Sequence, residues 1–195
     1  MHELPPHVRG RHILIGIGGG IAVYKMATVV SRLAQAGAHV TVAMTDAATR
    51  FVAPLTFQAL SGRHVYSSQW DHVESQDPQH VSLGRAADLM LIGPCTMDLC
   101  AKLAHGRTDD IVCLLSSVID RATTPVLLAP SMNAVMYHQP STQRNLKTLD
   151  ADGFTVLDPG VGWQACRTDG PGRLPEPEDL LAEVDRQCAA MPPLD

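Results

Sequence analysis

The sequence is short of aromatic residues, of charge runs and of long apolar segments. Aromatic side chains make up only 4% of its 195 residues, so small aliphatic residues must build the core, which suits close packing of helices on a sheet. No run of basic residues occurs and the net charge is −5, which argues against binding to nucleic acid or to an anionic membrane. The most apolar stretch, residues 13–30, is interrupted by four glycines and Lys25, so no membrane-spanning helix is expected.

The cysteines are scattered along the chain, and their spacing argues against a disulfide framework and against a metal site. The five cysteines include no Cys-x-x-Cys pair, which favours a reduced, cytoplasmic setting over a disulfide framework. No histidine or cysteine cluster has ligand spacing, so no metal site is expected. The first ten residues lack the apolar region of a secretory signal. The length predicts one domain, residues 1–195, with its core in residues 11–184.

Short apolar runs alternate with helical stretches along the chain. Strands are predicted at residues 12–17, 38–44, 89–92, 125–129 and 154–157. Helices are predicted at residues 21–36, 47–60 with a division near Pro54, 96–104, 110–119, 142–151 and 180–190. This alternation predicts a doubly wound parallel sheet covered by helices on both faces, a three-layer α/β sandwich of the flavodoxin or Rossmann type.

Two segments lack any periodicity and are predicted to be functional loops. Residues 67–79 are mostly polar, and residues 158–177 contain four glycines and four prolines. Loops of this length in a compact domain commonly cover or bind a ligand. Because a ligand of this fold lies outside the carboxyl ends of the strands, the residues that follow each strand are the candidates for a site.

A glycine-rich turn follows the first predicted strand. The turn, Gly16-Ile-Gly-Gly-Gly20, does not have the Gly-x-Gly-x-x-Gly spacing of dinucleotide-binding proteins. It can still present backbone N–H groups at a helix N-terminus to a phosphate, or it can be a tight turn only. Thr45 follows the second strand, where a dinucleotide-binding protein has an acidic residue. A hydroxyl there favours a mononucleotide such as FMN.

Polar residues after the later strands have ordinary structural explanations as well as functional ones. Thr96 is suited to cap the next helix, and Asn133 can be a turn former after Pro130. Cys166 can be an incidental surface thiol in its glycine-rich loop. These residues by themselves do not decide between the structural and the functional explanations.

Together, the motifs at the strand ends carry a resemblance to a known family. They are Gly18-Gly-Gly-Ile-Ala22, the stretch from Gly93 to Leu103, Pro130-Ser-Met-Asn-Ala-Val-Met136, and Cys166 with the glycine-rich segment after it. The chain resembles the flavin-containing cysteine decarboxylases over about residues 11–184. Within that family it is most similar to the members that decarboxylate 4′-phosphopantothenoylcysteine to 4′-phosphopantetheine in coenzyme A biosynthesis.

The resemblance implies a cofactor, an assembly and a set of site residues. It implies an FMN-dependent homo-oligomer, a trimer or a dodecamer built of trimers, with the flavin near subunit interfaces. His80 matches the family's active-site histidine, and Cys166 its proton-donating cysteine on a mobile flap. The implied substrate contacts are Asn133, Trp163, Gln164 and Ala165. The implied FMN contacts are Gly19, Gly20, Ile21, Thr45, Thr96, Met97, Asp98, Leu99 and Ser131.

The chain also departs from the family pattern, and other functions remain open. Asp98 stands where the family usually has an asparagine that helps to hold the flavin, and Arg167 stands where a glycine usually follows the cysteine. The alternatives are a peptidyl-cysteine decarboxylase that stops at an enethiol, a flavin prenyltransferase, and a non-catalytic flavoprotein that regulates a phosphatase. Because the chain ends soon after this domain, we expect the ligase of the pathway to be a separate protein.

Overall fold

Six parallel strands form the central sheet of the structure, a computed structural model that describes residues 4–70 and 79–194. The strands are β1 (His12–Ile17), β2 (His39–Met44), β3 (Val65–Tyr66), β4 (Leu89–Cys95), β5 (Val126–Pro130) and β6 (Thr155–Val156). Their order is β3-β2-β1-β4-β5-β6, and neighbouring strands are parallel. The predicted doubly wound α/β sheet is therefore confirmed, and its strand order is that of the Rossmann fold rather than of flavodoxin.

Alternate residues of each central strand enter two separate cores, one on each face of the sheet. In β1, Ile13, Ile15 and Ile17 belong to one core and Leu14 belongs to the other. This is the period of two that a strand imposes on its side chains. Since both faces are covered, the strands read as uninterrupted apolar runs in the sequence.

Helices cover both faces, and helix α1 illustrates why they form. One face carries α1 (Val23–Gln35), α3 (Pro54–Ser61) and α9 (Pro177–Ala189). The other carries α4 (Gln79–Ala86), α5 (Met97–Ala104), α6 (Ile111–Ser117) and α8 (Pro140–Ala151). Helix α1 buries Met26, Val29, Val30 and Leu33 completely, which is the spacing of one helical stripe. The chain leaves the helix through Gly37, whose φ of +88° suits glycine.

Several elements differ from those predicted. Pro54 divides the segment 47–60 into α2 (Asp46–Thr49) and α3, as expected. Strand β3, helix α4 and the short helix α7 (Ala134–His138) were not predicted, because they are too short or too polar to carry a clear period. Helices α8 and α9 each begin at a proline, earlier than predicted, since proline is well suited to a first helical turn.

The predicted loop at residues 158–177 contains a β-hairpin, which corrects the expectation of an irregular segment. Its strands, β7 (Gly160–Trp163) and β8 (Asp169–Arg173), pair antiparallel outside the main sheet. The sequence pattern does not predict this hairpin, because glycine and proline are uncommon inside strands and neither of its strands lies in a core. The other predicted loop, residues 67–79, lies largely outside the described residues.

None of the helices in residues 4–70 and 79–194 combines the length and apolarity that crossing a bilayer requires.

Candidate active site

A cavity of about 420 Å³ opens at the carboxyl ends of β1, β4 and β5. It lies beside the point between β1 and β4 where the direction of winding reverses, which is where Rossmann-type sheets bind their ligands. The wall is built from the turn after β1, the start of α5, the segment after β5, and the β7–β8 hairpin. The sequence-predicted residues in this wall are Gly19, Gly20, Ile21, Thr96, Met97, Ser131, Asn133, Trp163, Gln164, Ala165 and Cys166.

The glycine turn is compressed between two neighbouring segments. A Cβ atom on Gly18 would lie 2.2 Å from the carbonyl oxygen of Pro94, and one on Gly19 would lie 2.4 Å from Cβ of Ala47. A Cβ on Gly20 would make only an ordinary contact, 3.6 Å from the Pro94 ring. The turn therefore lets the backbone approach closely, and α1 begins from it without a side-chain cap. An uncapped helix N-terminus at a cavity is suited to a phosphate.

Of the two threonines predicted to face the cavity, only Thr96 does. Thr96 Oγ1 accepts a hydrogen bond from the backbone N–H of Leu99 at 3.3 Å and caps α5 at the cavity wall. Thr45 Oγ1 accepts from the N–H of Ala48 at 3.2 Å and caps α2. Thr45 is not among the residues that line the cavity, whereas Gly19, which packs closely against Ala47 of α2, is. The two hydroxyls thus have different surroundings in this structure, and a contact of Thr45 with FMN stays a prediction.

The first turn of α5 brings one further residue, Met97, to the cavity. Asp98 is directed elsewhere: its side chain is 74% exposed and its Oδ2 lies 3.4 Å from Nζ of Lys102. Leu99 is buried in the core and would meet a Cβ atom on Gly18. Neither the Asp98 carboxylate nor the Leu99 side chain lines the cavity, since successive residues of a helix point in different directions.

Asn133 occupies a junction between the segment after β5 and the hairpin. Its Oδ1 accepts a hydrogen bond from the N–H of Val135 at 2.8 Å and caps α7. Its Nδ2 donates to Sγ of Cys166 at 2.9 Å. The asparagine and cysteine that the sequence places 33 residues apart are thus in direct contact at the cavity wall.

Cys166 is at the tip of the hairpin and has a second polar partner. Thr168 Oγ1 lies 3.0 Å from Cys166 Sγ. Hydrogen bonds from Thr168 and from Asn133 lower the pKa of the Cys166 thiol, since they stabilise its charged form. All five cysteines lie in the described residues, and Cys166 alone among them is exposed. The arrangement therefore offers one accessible thiol whose pKa is lowered by its hydrogen-bond partners.

Gln164 lines the cavity, and its amide also holds the hairpin in place. It is only 7% exposed. Its Nε2 donates to the carbonyl oxygen of Pro171 at 2.8 Å, and its Oε1 accepts from the N–H of Ala134 at 3.1 Å. The N–H of Met132 also donates to the carbonyl oxygen of Gly172 at 2.8 Å. These bonds tie the hairpin to the segment after β5, and the Gln164 amide is used within the protein. Trp163 is 62% exposed at the cavity wall and remains a candidate contact.

The structure does not bring His80 to the cavity of its own chain. His80 is the second residue of α4, which packs against α6 on the opposite face of the sheet from α1. Because α4 leads into the start of β4, its first turn lies towards the carboxyl edge of the sheet, outside the cavity wall. A site within a single chain is therefore formed without this histidine.

Lys25 lines the cavity and was not predicted as a site residue. Its side chain is 9% exposed, and its Nζ donates to Oε1 of Glu176 at 2.8 Å and to the carbonyl oxygen of Leu174 at 3.2 Å. The hydrogen bond from Lys25 lowers the pKa of the Glu176 carboxyl group. The sequence feature that could have indicated Lys25 as a site residue is its position within an otherwise apolar helical stretch. Its partners lie about 150 residues further along the chain, where no local pattern could reveal them.

No group of three or more histidine, cysteine or acidic residues suited to a metal ion occurs in the part of the chain that the structure describes.

The chain is similar in sequence to proteins of coenzyme A biosynthesis. The chain is 41% identical over 182 residues to the coenzyme A biosynthesis bifunctional protein CoaBC of Bacillus subtilis, covering 93% of this chain and 44% of that protein. It is 45% identical over 176 residues to CoaBC of Vibrio cholerae, covering 90% and 43%. The chain thus spans less than half the length of these curated relatives.

Solved structures agree in fold over nearly the whole chain. A mutant of PPC decarboxylase in complex with pantothenoylaminoethenethiol superposes with a TM-score of 0.81 at 26% identity, covering 90% of this chain and 97% of that one. The FMN-dependent cysteine decarboxylase SpaF superposes with a TM-score of 0.79 at 27% identity, covering 94% and 99%. The family model described as Flavoprotein matches residues 1–189. This chain belongs to the flavoprotein family.

Proposed function

We propose that this chain catalyses the FMN-dependent decarboxylation of 4′-phosphopantothenoylcysteine to 4′-phosphopantetheine. The observation that carries this proposal is the direct contact of Asn133 Nδ2 with Cys166 Sγ, at 2.9 Å, in the wall of a cavity that also contains the glycine turn. The similarity to bifunctional coenzyme A biosynthesis proteins and to PPC decarboxylase supports the substrate.

The residues around the cavity fit a flavin mononucleotide. The close approach of the turn at Gly18 and Gly19 and the uncapped N-terminus of α1 suit a terminal phosphate. Thr96 and Ser131 add hydroxyl groups to the same wall. The lining also includes Ile21 and Met97, which suit the apolar faces of an isoalloxazine ring. FMN, when bound, supplies a two-electron oxidation of the substrate and later returns the electrons.

Asn133 and Cys166 have separate roles at this site. The Asn133 amide binds the substrate carboxylate as a neutral donor, so it adds no positive charge that would oppose the loss of CO₂. Cys166 gives its thiol proton to carbon in the last step. Its exposed position at the hairpin tip lets solvent restore that proton.

The position of His80 supports a site shared between copies of the chain. We propose a homotrimer in which His80 of one copy joins the cavity of the next and handles the proton of the substrate thiol. Exposed apolar side chains at the cavity mouth support such a contact: Ile21 is 60% exposed, Tyr24 61% and Trp163 62%. A site completed in this way predicts that His80→Asn retains its fold and loses activity by a factor of about 10² or more.

The shared site has a direct test. His80→Asn and Asn133→Asp are each expected to be inactive, because the second variant sets one carboxylate against another. Co-expression of the two should restore a fraction of wild-type activity, since some mixed oligomers then contain an intact site. As a control, Asn133→Asp is co-expressed with His64→Asn, which replaces an exposed histidine. The activity of this pair shows how far co-expression by itself changes activity. If mixed His80 and Asn133 variants remain as inactive as each alone, the shared site is wrong.

The product distinguishes this proposal from a peptidyl-cysteine decarboxylase. Mass analysis should find 4′-phosphopantetheine from wild type, and the enethiol, lacking two hydrogen atoms, from Cys166→Ser. Serine is a far weaker acid than a thiol and cannot supply the last proton. Wild-type production of phosphopantetheine by Cys166→Ser would contradict the role of Cys166. Release of the enethiol by the wild type itself would favour the peptidyl-cysteine alternative. A purified protein that stays colourless after incubation with FMN would contradict the cofactor.

A further inference from the structure

The turn of the β7–β8 hairpin sets Thr168 beside Cys166. The N–H of Arg167 donates to the carbonyl oxygen of Gln164 at 2.9 Å, and the N–H of Gln164 donates to the carbonyl oxygen of Thr168 at 2.9 Å. Arg167 has a φ of +65°. This is a three-residue loop in which a turn is followed by a left-handed residue. It directs the chain back so that Thr168 Oγ1 lies 3.0 Å from Cys166 Sγ.

We propose that Thr168 is a further residue of the catalytic site, whose hydroxyl donates a hydrogen bond to Cys166 Sγ and stabilises the thiolate left after proton transfer. The inference rests on the proposed function of Cys166. In that step the S–H bond breaks and its electron pair stays on sulfur, while the proton forms a C–H bond with the electron pair of the enethiol double bond. The other carbon of that double bond would receive the hydride that reduced FMN supplies when bound. Solvent then returns a proton to the exposed thiolate.

Thr168 matters because the other donor to the sulfur has a competing task. Asn133 Nδ2 lies 2.9 Å from Cys166 Sγ, but the proposed function requires the same amide to bind the substrate carboxylate. Gln164 Oε1, 3.5 Å from the sulfur, can only accept a hydrogen bond. With substrate bound, the two N–H groups of the Asn133 amide would be shared between the carboxylate and the sulfur, and Thr168 is the one of these three side chains whose donor serves the sulfur alone.

The hydroxyl of Thr168 also favours the charged form of the thiol. The hydrogen bond from Thr168 is the largest cause of the lowered pKa of Cys166, ahead of that from Asn133. Hydrogen bonds to a charged group are among the stronger ones in proteins. Thr168 is also exposed, so its side chain can be changed without disturbing a core.

The test uses two substitutions that differ in one group. Thr168→Val keeps the branched shape and removes the hydroxyl, whereas Thr168→Ser keeps the hydroxyl. The full-length flavin-loaded protein is treated with iodoacetamide over a range of pH, and alkylation of Cys166 is followed by mass spectrometry. The other four cysteines are buried, so they do not compete. Thr168→Val should raise the thiol pKa, and alkylation at neutral pH should fall about tenfold because less thiolate is present. Thr168→Ser should stay close to wild type.

A single-turnover experiment supplies the second readout. Thr168→Val should convert the enethiol to phosphopantetheine about tenfold more slowly than wild type, with release of CO₂ unchanged. Unaltered alkylation in Thr168→Val would overturn the hydrogen bond, and altered alkylation with an unaltered final step would overturn the catalytic role. Failure of the proposed function has a different result: Cys166→Ser would then form phosphopantetheine normally, whatever alkylation shows for Thr168.

Discussion

Replacing Arg167 with glycine should stabilise the hairpin that carries Cys166. Arg167 is the one residue other than glycine with a positive φ in the described chain, at +65°. In this region the Cβ atom approaches the following carbonyl oxygen, which costs about 1–2 kcal/mol for a residue other than glycine. The position follows a turn in a three-residue hairpin loop, where glycine is the usual occupant.

The expected gain is smaller than the relief of this strain. Glycine is also more flexible in the unfolded chain, which opposes folding by about 0.4–1 kcal/mol. The free energy of unfolding should therefore rise by about 0.5–1 kcal/mol in Arg167→Gly. For a chain of this size that corresponds to an increase in Tm of about 1–4 °C.

Arg167→Ala provides the matched control, because it removes the same side chain and keeps the Cβ atom. Urea unfolding should place Arg167→Gly above both Arg167→Ala and wild type. Hydrogen exchange should show slower opening at the N–H of Gln164, which donates to Thr168 at 2.9 Å across the turn. Equal stability of the glycine and alanine variants would refute the reasoning, since it would mean that the strain at this φ does not exceed the entropy that glycine costs.

Three further predictions concern the loss of stability in acid, two glycines with different room for a side chain, and the cap of α2. The lowered pKa of Glu176 means that its contribution to stability is present above its ordinary value of 4.5 and is lost as pH falls through the folded-state value. Lys25→Met should flatten that acid loss in pH-dependent urea titrations, and an unchanged profile would exclude this ion pair as its cause. Gly84→Ala should destabilise the protein by about 1–3 kcal/mol, since the added Cβ would lie 2.4 Å from a valine methyl carbon. Gly20→Ala, with 3.6 Å of room, should keep its stability and weaken flavin binding measured by fluorescence titration. Thr45→Val should cost about 1 kcal/mol through the lost cap of α2, with flavin affinity unchanged; a large loss of affinity would return Thr45 to the site.

The sequence by itself determined the sheet and the region of the site. Uninterrupted apolar strands separated by amphipathic helices leave few alternatives to a parallel sheet covered on both faces. The carboxyl ends of such strands meet at one edge of the sheet, so their sequence positions alone assign Gly20, Thr96 and Asn133 to one cavity. Local patterns were sufficient here because each strand and helix buries its own apolar side chains.

Only the tertiary structure decided which neighbours of these residues reach the cavity. Met97 reaches it, whereas Asp98 pairs with Lys102 on the next turn. The hairpin, which its glycines and prolines do not predict, brings Cys166 Sγ within 2.9 Å of Asn133 Nδ2. His80 begins α4 and lies outside the wall of this cavity. These outcomes depend on helix rotation, strand register and contacts between distant segments, and such long-range packing leaves no periodic trace in the sequence.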